Sequence, residues 1–268
     1  MSEAAAADRS VIAGSRLQLG DVELELHRGG RGPTLLFLHG GGGFDPAAPF
    51  VARLAENFDV VAPLHPGFGA SSLPFWMDSV DDFVHVQLEL LKRLGLRDVT
   101  LVGASLGGWV AADLATKNTS RIRKVVLVSP VGIKVGPRDK LDIPDIFATS
   151  AEELLKLTSA EPEKRKPDYN KMSDEAVRII ARNRETMALV AWEPYMHNPK
   201  LRHRLRLIDR PTLILRGSHD RLVGQDYIDA YTKLIPGARC EIIENAGHSP
   251  QSEQPDEFCR RVAHFANS

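Results

Sequence analysis

Six short apolar runs, each closed by glycine, proline or charge, alternate along this chain with segments of helical period, and that alternation restricts the fold more than any other feature. The runs are TLLFLHG (34–40), DVVAPLHPG (59–67), DVTLVGAS (98–105), KVVLVSP (124–130), PTLILRG (211–217) and ARCEIIENAG (238–247). Runs with no polar alternation suit strands buried on both faces of a parallel sheet. The intervening segments are PAAPFVARLAENF, SVDDFVHVQLELLKRLGL, LGGWVAADLATKN and GQDYIDAYTKLI, with QPDEFCRRVAHFAN after the last run. In the second of these, Val80, Phe83, Val84, Leu88, Leu91 and Leu94 make one stripe. Asp81 and Asp82 stand near its start, where the helix dipole favours acidic groups. Strand alternating with helix predicts an α/β fold with a mostly parallel, doubly wound sheet. Ahead of it, SRLQLGDVELELHRGG alternates about a Gly-Asp turn and predicts two antiparallel strands.

One stretch breaks the alternation. From Val131 to Asp209 there is no strong strand signal, only polar and helical pieces with prolines at 137, 144, 162, 167, 194 and 199. The expected organisation is therefore a flexible tail over 1–14, a core over 15–130 and 210–268, and a helical cap over 131–209. A cap inserted after the sixth strand lies over the carboxyl edge of the sheet, where ligands bind in open α/β folds.

Composition excludes several classes. The chain has 268 residues, 43% hydrophobic and 26% charged, which is enough for a large core and ordinary for a globular protein. A formal net charge of -1 gives no electrostatic reason to expect nucleic acid or an anionic membrane as partner. The start, MSEAAAADRSVIAG, lacks the basic-then-apolar pattern of a signal peptide, and no run reaches 18 apolar residues, so a cytoplasmic location is expected. Cys240 and Cys259 are isolated, in a predicted strand and a predicted helix, and read as small core hydrophobes.

The chemistry begins at LVGASLGGWV (101–110), where an apolar run breaks at a serine and resumes as a small-residue helix. Gly103, Ala104, Ser105, Leu106 and Gly107 fit G-x-S-x-G in its confirming context of strand, turn and helix. A serine hydroxyl needs a base, and the base needs an orienting acid. His248, in ENAGHSPQSEQP beyond the last strand, is the candidate base, and Asp220, directly after its strand in LILRGSHDRLV, the candidate acid. LVSPVGI offers no carboxylate at the alternative acid position, and Asp226 fits the first turn of a helix. Among the other histidines, His219 reads as a loop residue, His39 as a residue that pins the glycine loop, and His65 as a candidate for bordering the pocket. Oxyanion donors are expected from the backbone N–H of Leu106 and from HGGGGF, at Gly41 with Gly42 as the near alternative. No G-x-x-x-x-G-K-[ST] or acidic ribose ligand supports a nucleotide reading of that loop.

HGGGG, PLHPGFGASS, GASLGG, RGSHDRLV and AGHSPQSEQP, in this order over about residues 20 to 268, resemble the α/β-hydrolase superfamily, in the branch whose cap sits between the sixth and seventh core strands. The resemblance implies an α/β-hydrolase fold and a Ser-His-Asp hydrolase without metal or organic cofactor, acting on a small-molecule ester or lactone as monomer or homodimer. Dehalogenases and epoxide hydrolases of this branch use an aspartate nucleophile, which Ser105 excludes. Its carbon–carbon bond hydrolases share the glycine-rich loop but carry asparagine and methionine around the serine and tryptophan after the histidine; this chain has Ala104, Leu106 and Ser249. The acyl-homoserine-lactone hydrolases are similar in size and cap placement. The alternatives to an esterase or lactonase are thus carbon–carbon cleavage and a ligand receptor that retains the triad. Phe44, Phe147, Met187, Trp192, Tyr195 and Met196 are candidates for the substrate pocket, and Trp109, one turn into the serine helix, is expected to pack on the sheet.

Overall fold

A computed structural model describes residues 11–268. Along β3 (Thr34–Leu38) the side chains alternate between two cores: Leu35 and Phe37 join one apolar cluster, Leu36 and Leu38 the other. The same division holds in β5 (Val99–Ala104), β6 (Ile122–Val128) and β7 (Thr212–Gly217). Each of these strands is covered on both faces, which is why its sequence runs apolar without a polar partner at every second position. Burying one such aliphatic side chain contributes about 2 kcal/mol.

The eight strands among the described residues, which include β1 (Ala13–Leu19), β2 (Val22–Gly30), β4 (Asp59–Pro63) and β8 (Arg239–Ile243), lie in the order β1-β2-β4-β3-β5-β6-β7-β8. β1 and β2 pair antiparallel, β2 meets β4 antiparallel, and the remaining pairs are parallel. The doubly wound α/β sheet with its antiparallel N-terminal strands is as expected. Of the predicted tail, residues 1–10 lie outside the described residues. The rest is not a tail, because Ile12 is buried and Ala13 pairs with Arg28, so the hairpin starts two residues before Ser15.

Helices cover both faces. α1 (Pro49–Ala55) begins at its proline, whose missing N–H costs nothing in a first turn. α2 (Val80–Arg93) is closed at its start by Asp82, whose Oδ2 accepts the Ser79 N–H at 3.0 Å. α3 (Leu106–Lys117) follows β5, and between β6 and β7 come α4 (Ala151–Thr158), α5 (Pro162–Arg165), α6 (Asp174–Ala191) and α7 (Leu201–Arg204). α8 (Gln225–Leu234), α9 (Pro250–Glu253) and α10 (Pro255–Asn267) complete the chain, and Asp226 is in the first turn of α8. Cys240 in β8 and Cys259 in α10 are free thiols. Among the described residues, no helix is long and apolar enough to cross a membrane.

The segment between β6 and β7 is tied down at two places that matter later. The carbonyl of Thr158, at the end of α4, accepts the His248 N–H at 2.8 Å. On α6, Asn183 and Thr186 bond to the loops after β3 and β4.

Candidate active site

β5 ends against a corner that only small residues can build. Ser105 has φ 52° and ψ −112°, a conformation a non-glycine residue adopts only when its surroundings over-determine it, at a cost of about 1–3 kcal/mol. Its N–H bonds to Val128 O at 2.9 Å and its carbonyl accepts the Trp109 N–H at 3.0 Å, so β6 and α3 both grip it. A Cβ at Gly103 would overlap the Gly107 carbonyl, and one at Gly107 would overlap the carbonyls of Leu38 and His39. The two glycines therefore let α3 approach β5 and β3 closely enough to aim the serine outward. Gly107→Ala is expected to destabilise the fold by about 3 kcal/mol or more, since backbone on both sides must move. An unchanged urea midpoint would contradict this close approach.

The side chains of Ser105, His248 and Asp220 form one chain of hydrogen bonds. His248 Nε2 is 2.9 Å from Ser105 Oγ, and His248 Nδ1 is 2.9 Å from Asp220 Oδ2. The other carboxylate oxygen, Oδ1, accepts the N–H groups of Leu222 and Val223, each at 3.0 Å. Burial opposes ionisation of Asp220, yet the facing His248 and these hydrogen bonds outweigh it and hold the carboxyl below its ordinary value. An ionised Asp220 only accepts, so the imidazole proton sits on Nδ1 and the Nε2 lone pair faces the serine hydroxyl. Arg216 steadies this loop through its hydrogen bonds to the carbonyls of Asp220 (2.6 Å) and Val223 (3.2 Å).

The glycine loop after β3 is held by hydrogen bonds at its start. His39 Nδ1 donates to Gly40 O at 2.7 Å, Gly43 N–H donates to the same oxygen at 3.0 Å, and His39 Nε2 accepts the His65 N–H at 3.0 Å. In a trans peptide the N–H points opposite to the C=O, so pinning the Gly40 carbonyl also sets the direction of the Gly41 N–H. Among the described residues no protein acceptor takes the N–H of Gly41, Gly42 or Leu106. His39 thus pins the loop as expected. His65 does not border the cavity; it is fully buried, stacked on Phe83 at 5.3 Å between ring centres.

Burial pulls the His39 imidazole down to about 4, and His65 well below its usual value. The unfolded chain, with an ordinary histidine near 6.5, therefore takes up the proton first on acidification. The stability tied to neutral His39 is complete above about pH 6.5 and is lost as the pH falls toward about 4, by up to about 3 kcal/mol. His39→Gln should accordingly lose stability less steeply than wild type between about pH 6.5 and about pH 4.5. Urea titrations giving parallel slopes for the two proteins would refute this.

A cavity of about 930 Å³ opens over Ser105 and His248. Of the pocket candidates, Phe44, Phe147, Met187 and Met196 line it. Trp192 and Tyr195 do not. Trp192 is half exposed, packed edge-on to Phe147, and the Tyr195 hydroxyl is spent on Ile146 N–H (2.8 Å) and Pro144 O (2.7 Å). Their rings buttress Phe147 from behind. Trp109 is buried with its ring against Gly132, in the segment after β6, and His219 is a loop residue bonded to Ser218. Sequence reasoning missed Leu154, Thr158, Ile179, Asn183 and Gln251, all of which line the cavity. A signal existed for three positions: Ile179, Asn183 and Met187 recur every four residues and so share one face of α6. Among the described residues, no cluster of three or more His, Cys, Asp or Glu side chains could hold a metal ion.

The model of the α/β hydrolase family matches residues 35–261 of this chain. The chain belongs to the α/β hydrolase family. Within that family it is similar to 2-hydroxymuconate semialdehyde hydrolase of Pseudomonas putida, 25% identical over 270 residues that cover 97% of this chain and 96% of that protein. It is also similar to a carboxylesterase of Bacillus subtilis (strain 168), 26% identical over 245 residues, 87% of this chain and 80% of that protein. Among solved structures, the 2-hydroxy-6-oxo-6-phenylhexa-2,4-dienoate hydrolase from Rhodococcus sp. strain RHA1 superposes with a TM-score of 0.76 at 24% identity, covering 96% of this chain and 99% of that one, a likeness of fold. These α/β hydrolases differ in the substrates their names state, so the family gives the hydrolase scaffold and leaves the substrate to the pocket.

Proposed function

We propose that the protein is a serine hydrolase that cleaves a carboxylic ester or lactone through an acyl-enzyme. The observation that carries this reading is the unbroken hydrogen-bond chain Asp220–His248–Ser105 at the floor of a largely apolar cavity. Ser105 Oγ attacks the carbonyl carbon while His248 Nε2 takes the hydroxyl proton, and Asp220 stabilises the imidazolium that results. The negative charge on the former carbonyl oxygen is met by the N–H of Leu106 and that of Gly41, with Gly42 as the neighbouring donor. Collapse of the adduct expels the alcohol, or opens the lactone, with the proton returned from His248. Water then repeats the sequence on the acyl-enzyme and releases the acid. The similarity to a carboxylesterase supports this choice, and so does Ser249 in place of the tryptophan expected of a carbon–carbon bond hydrolase.

The test is the initial rate on p-nitrophenyl esters of graded acyl length and on acyl-homoserine lactones of matched length, for wild type and Ser105→Ala. 2-Hydroxymuconate semialdehyde, named for the P. putida relative, belongs in the same panel. Serine-dependent turnover of esters or lactones supports the proposal. Turnover of the semialdehyde alone transfers the chemistry to carbon–carbon cleavage, and one slow acylation without turnover favours a receptor.

A further inference from the structure

We infer that Asn183, on α6, is a positioning residue that shapes the oxyanion-binding loop from the cap side, so that the donors for the oxyanion are complete only when α6 is seated. The assignment rests on the proposed acyl transfer at Ser105. Asn183 is buried, and both ends of its amide are used: Nδ2 donates to Gly42 O at 3.1 Å and Oδ1 accepts the Gly69 N–H at 3.0 Å. A single side chain thus joins the loop after β3 to the loop after β4.

The loop it holds has little means of holding itself. Residues 40–43 are four consecutive glycines, which lose more conformational freedom on ordering than any other residue and have no side chains to pack. Its conformation is set by hydrogen bonds from outside. His39 acts from below, on Gly40 O; Asn183 acts from above, on Gly42 O. Because the C=O of Gly42 and the N–H of Gly43 belong to one planar peptide, pinning that carbonyl turns the Gly43 N–H toward Gly40 O. The Gly43–Gly40 bond, at 3.0 Å, then holds the Gly40 carbonyl and, through the next peptide plane, the Gly41 N–H. Gly43 itself has φ +93°, and the space its Cβ would fill is taken by Asn183 Nδ2, so the asparagine reaches Gly42 O only because residue 43 is glycine.

α6 is seated firmly enough to serve as the anchor. Thr186 Oγ1 donates to Gly67 O at 3.0 Å, and Arg182 donates to Gly69 O at 3.1 Å and to Ser71 O at 2.6 Å. One turn past Asn183, Met187 Sδ would lie 2.9 Å from a Cβ on Gly41, which closes the cap over the donor loop. Substrate contact and oxyanion geometry are therefore carried by adjacent turns of one helix.

Two variants separate positioning from packing. Asn183→Asp keeps size and the acceptor for Gly69 N–H but places a carboxylate oxygen against Gly42 O; Asn183→Leu removes both bonds at similar volume. The measurements are kcat and KM on the best p-nitrophenyl ester, and inhibition by an alkylboronic acid, whose serine adduct is tetrahedral and anionic. For both variants kcat should fall about 10- to 100-fold, less than or comparable to loss of an oxyanion donor itself. KM should stay within about threefold, and the boronate should weaken in parallel with kcat. If Asn183→Leu fails to fold by circular dichroism, the near-isosteric Asn183→Asp carries the test. Retention of kcat by Asn183→Asp, or a rise in KM with kcat preserved, overturns the assignment and leaves Asn183 as a docking contact. Wild type without Ser105-dependent turnover overturns the reading of Ser105, and the role of Asn183 with it.

Discussion

Ser105→Ala is expected to reduce kcat on the best ester substrate by about a million-fold, which corresponds to about 8 kcal/mol of transition-state stabilisation. The loss is large because the three side chains act as a unit. Without Oγ, the proton on which His248 acts is absent, and Asp220 orients a base with nothing to activate. What remains is binding in the cavity and the free N–H groups of the glycine loop, which can still polarise a carbonyl toward water. The fold should be little changed, since alanine keeps the Cβ and the backbone bonds from Ser105 to Val128 and Trp109 do not involve the hydroxyl. Rates measured by p-nitrophenol release, with the melting temperature as a folding control, decide it. A variant that retains more than about one part in a hundred of wild-type kcat would remove Ser105 from the mechanism.

Asp220→Asn should cost about four orders of magnitude in kcat, as loss of the orienting acid does in the best-studied serine triad. The amide cannot settle harmlessly. Two N–H groups, from Leu222 and Val223, converge on Oδ1, so the carbonyl of an asparagine must take that position and its NH2 must face His248 Nδ1. Nδ1 then becomes the acceptor, the ring proton moves to Nε2, and Nε2 can no longer receive the proton of Ser105. In wild type the carboxyl is held below its ordinary value, so the carboxylate contributes both orientation and stability above about pH 4 and loses them only as acid protonates it. Single-turnover acylation, compared at neutral pH with wild type, reads the tautomer effect directly. A loss smaller than about tenfold would mean that His248 is oriented by its backbone bond to Thr158 rather than by Asp220.

Most of the architecture is legible in the sequence. The core strands are buried on both faces, and a doubly buried strand is apolar along most of its length, so β3, β5, β6 and β7 announce themselves within a residue or two. The three hydrogen-bonded residues Ser105, His248 and Asp220 were legible for a related reason. Each member sits at the carboxyl end of a strand or just past it, and a polar residue between an apolar run and a helix is conspicuous. The segment between β6 and β7 was legible as a break in the pattern, but of its cavity-facing side only the four-residue recurrence of Ile179, Asn183 and Met187 was. Trp192 and Tyr195 look like pocket residues because large aromatic groups near prolines suit a binding wall; the backbone at 191–196 turns them away, so that they support Phe147 instead. Asn183 shows the converse: a polar residue within a charged helix reads as solvent-facing, yet it is buried against two glycine-containing loops.

By itself the sequence determined the alternation of strand and helix, the place of the inserted segment, the serine corner with its close-packing glycines, and the histidine and acid that follow it. These are local: a strand's burial, a turn's need for glycine and a helix's stripe are written in neighbouring residues. Tertiary structure alone decided that the Thr158 carbonyl holds the backbone of His248 and that one amide on α6 bonds to a loop about 140 residues earlier. Such contacts join segments whose separation along the chain carries no periodic signal, and they exist only because the core brings the two loops under the same helix.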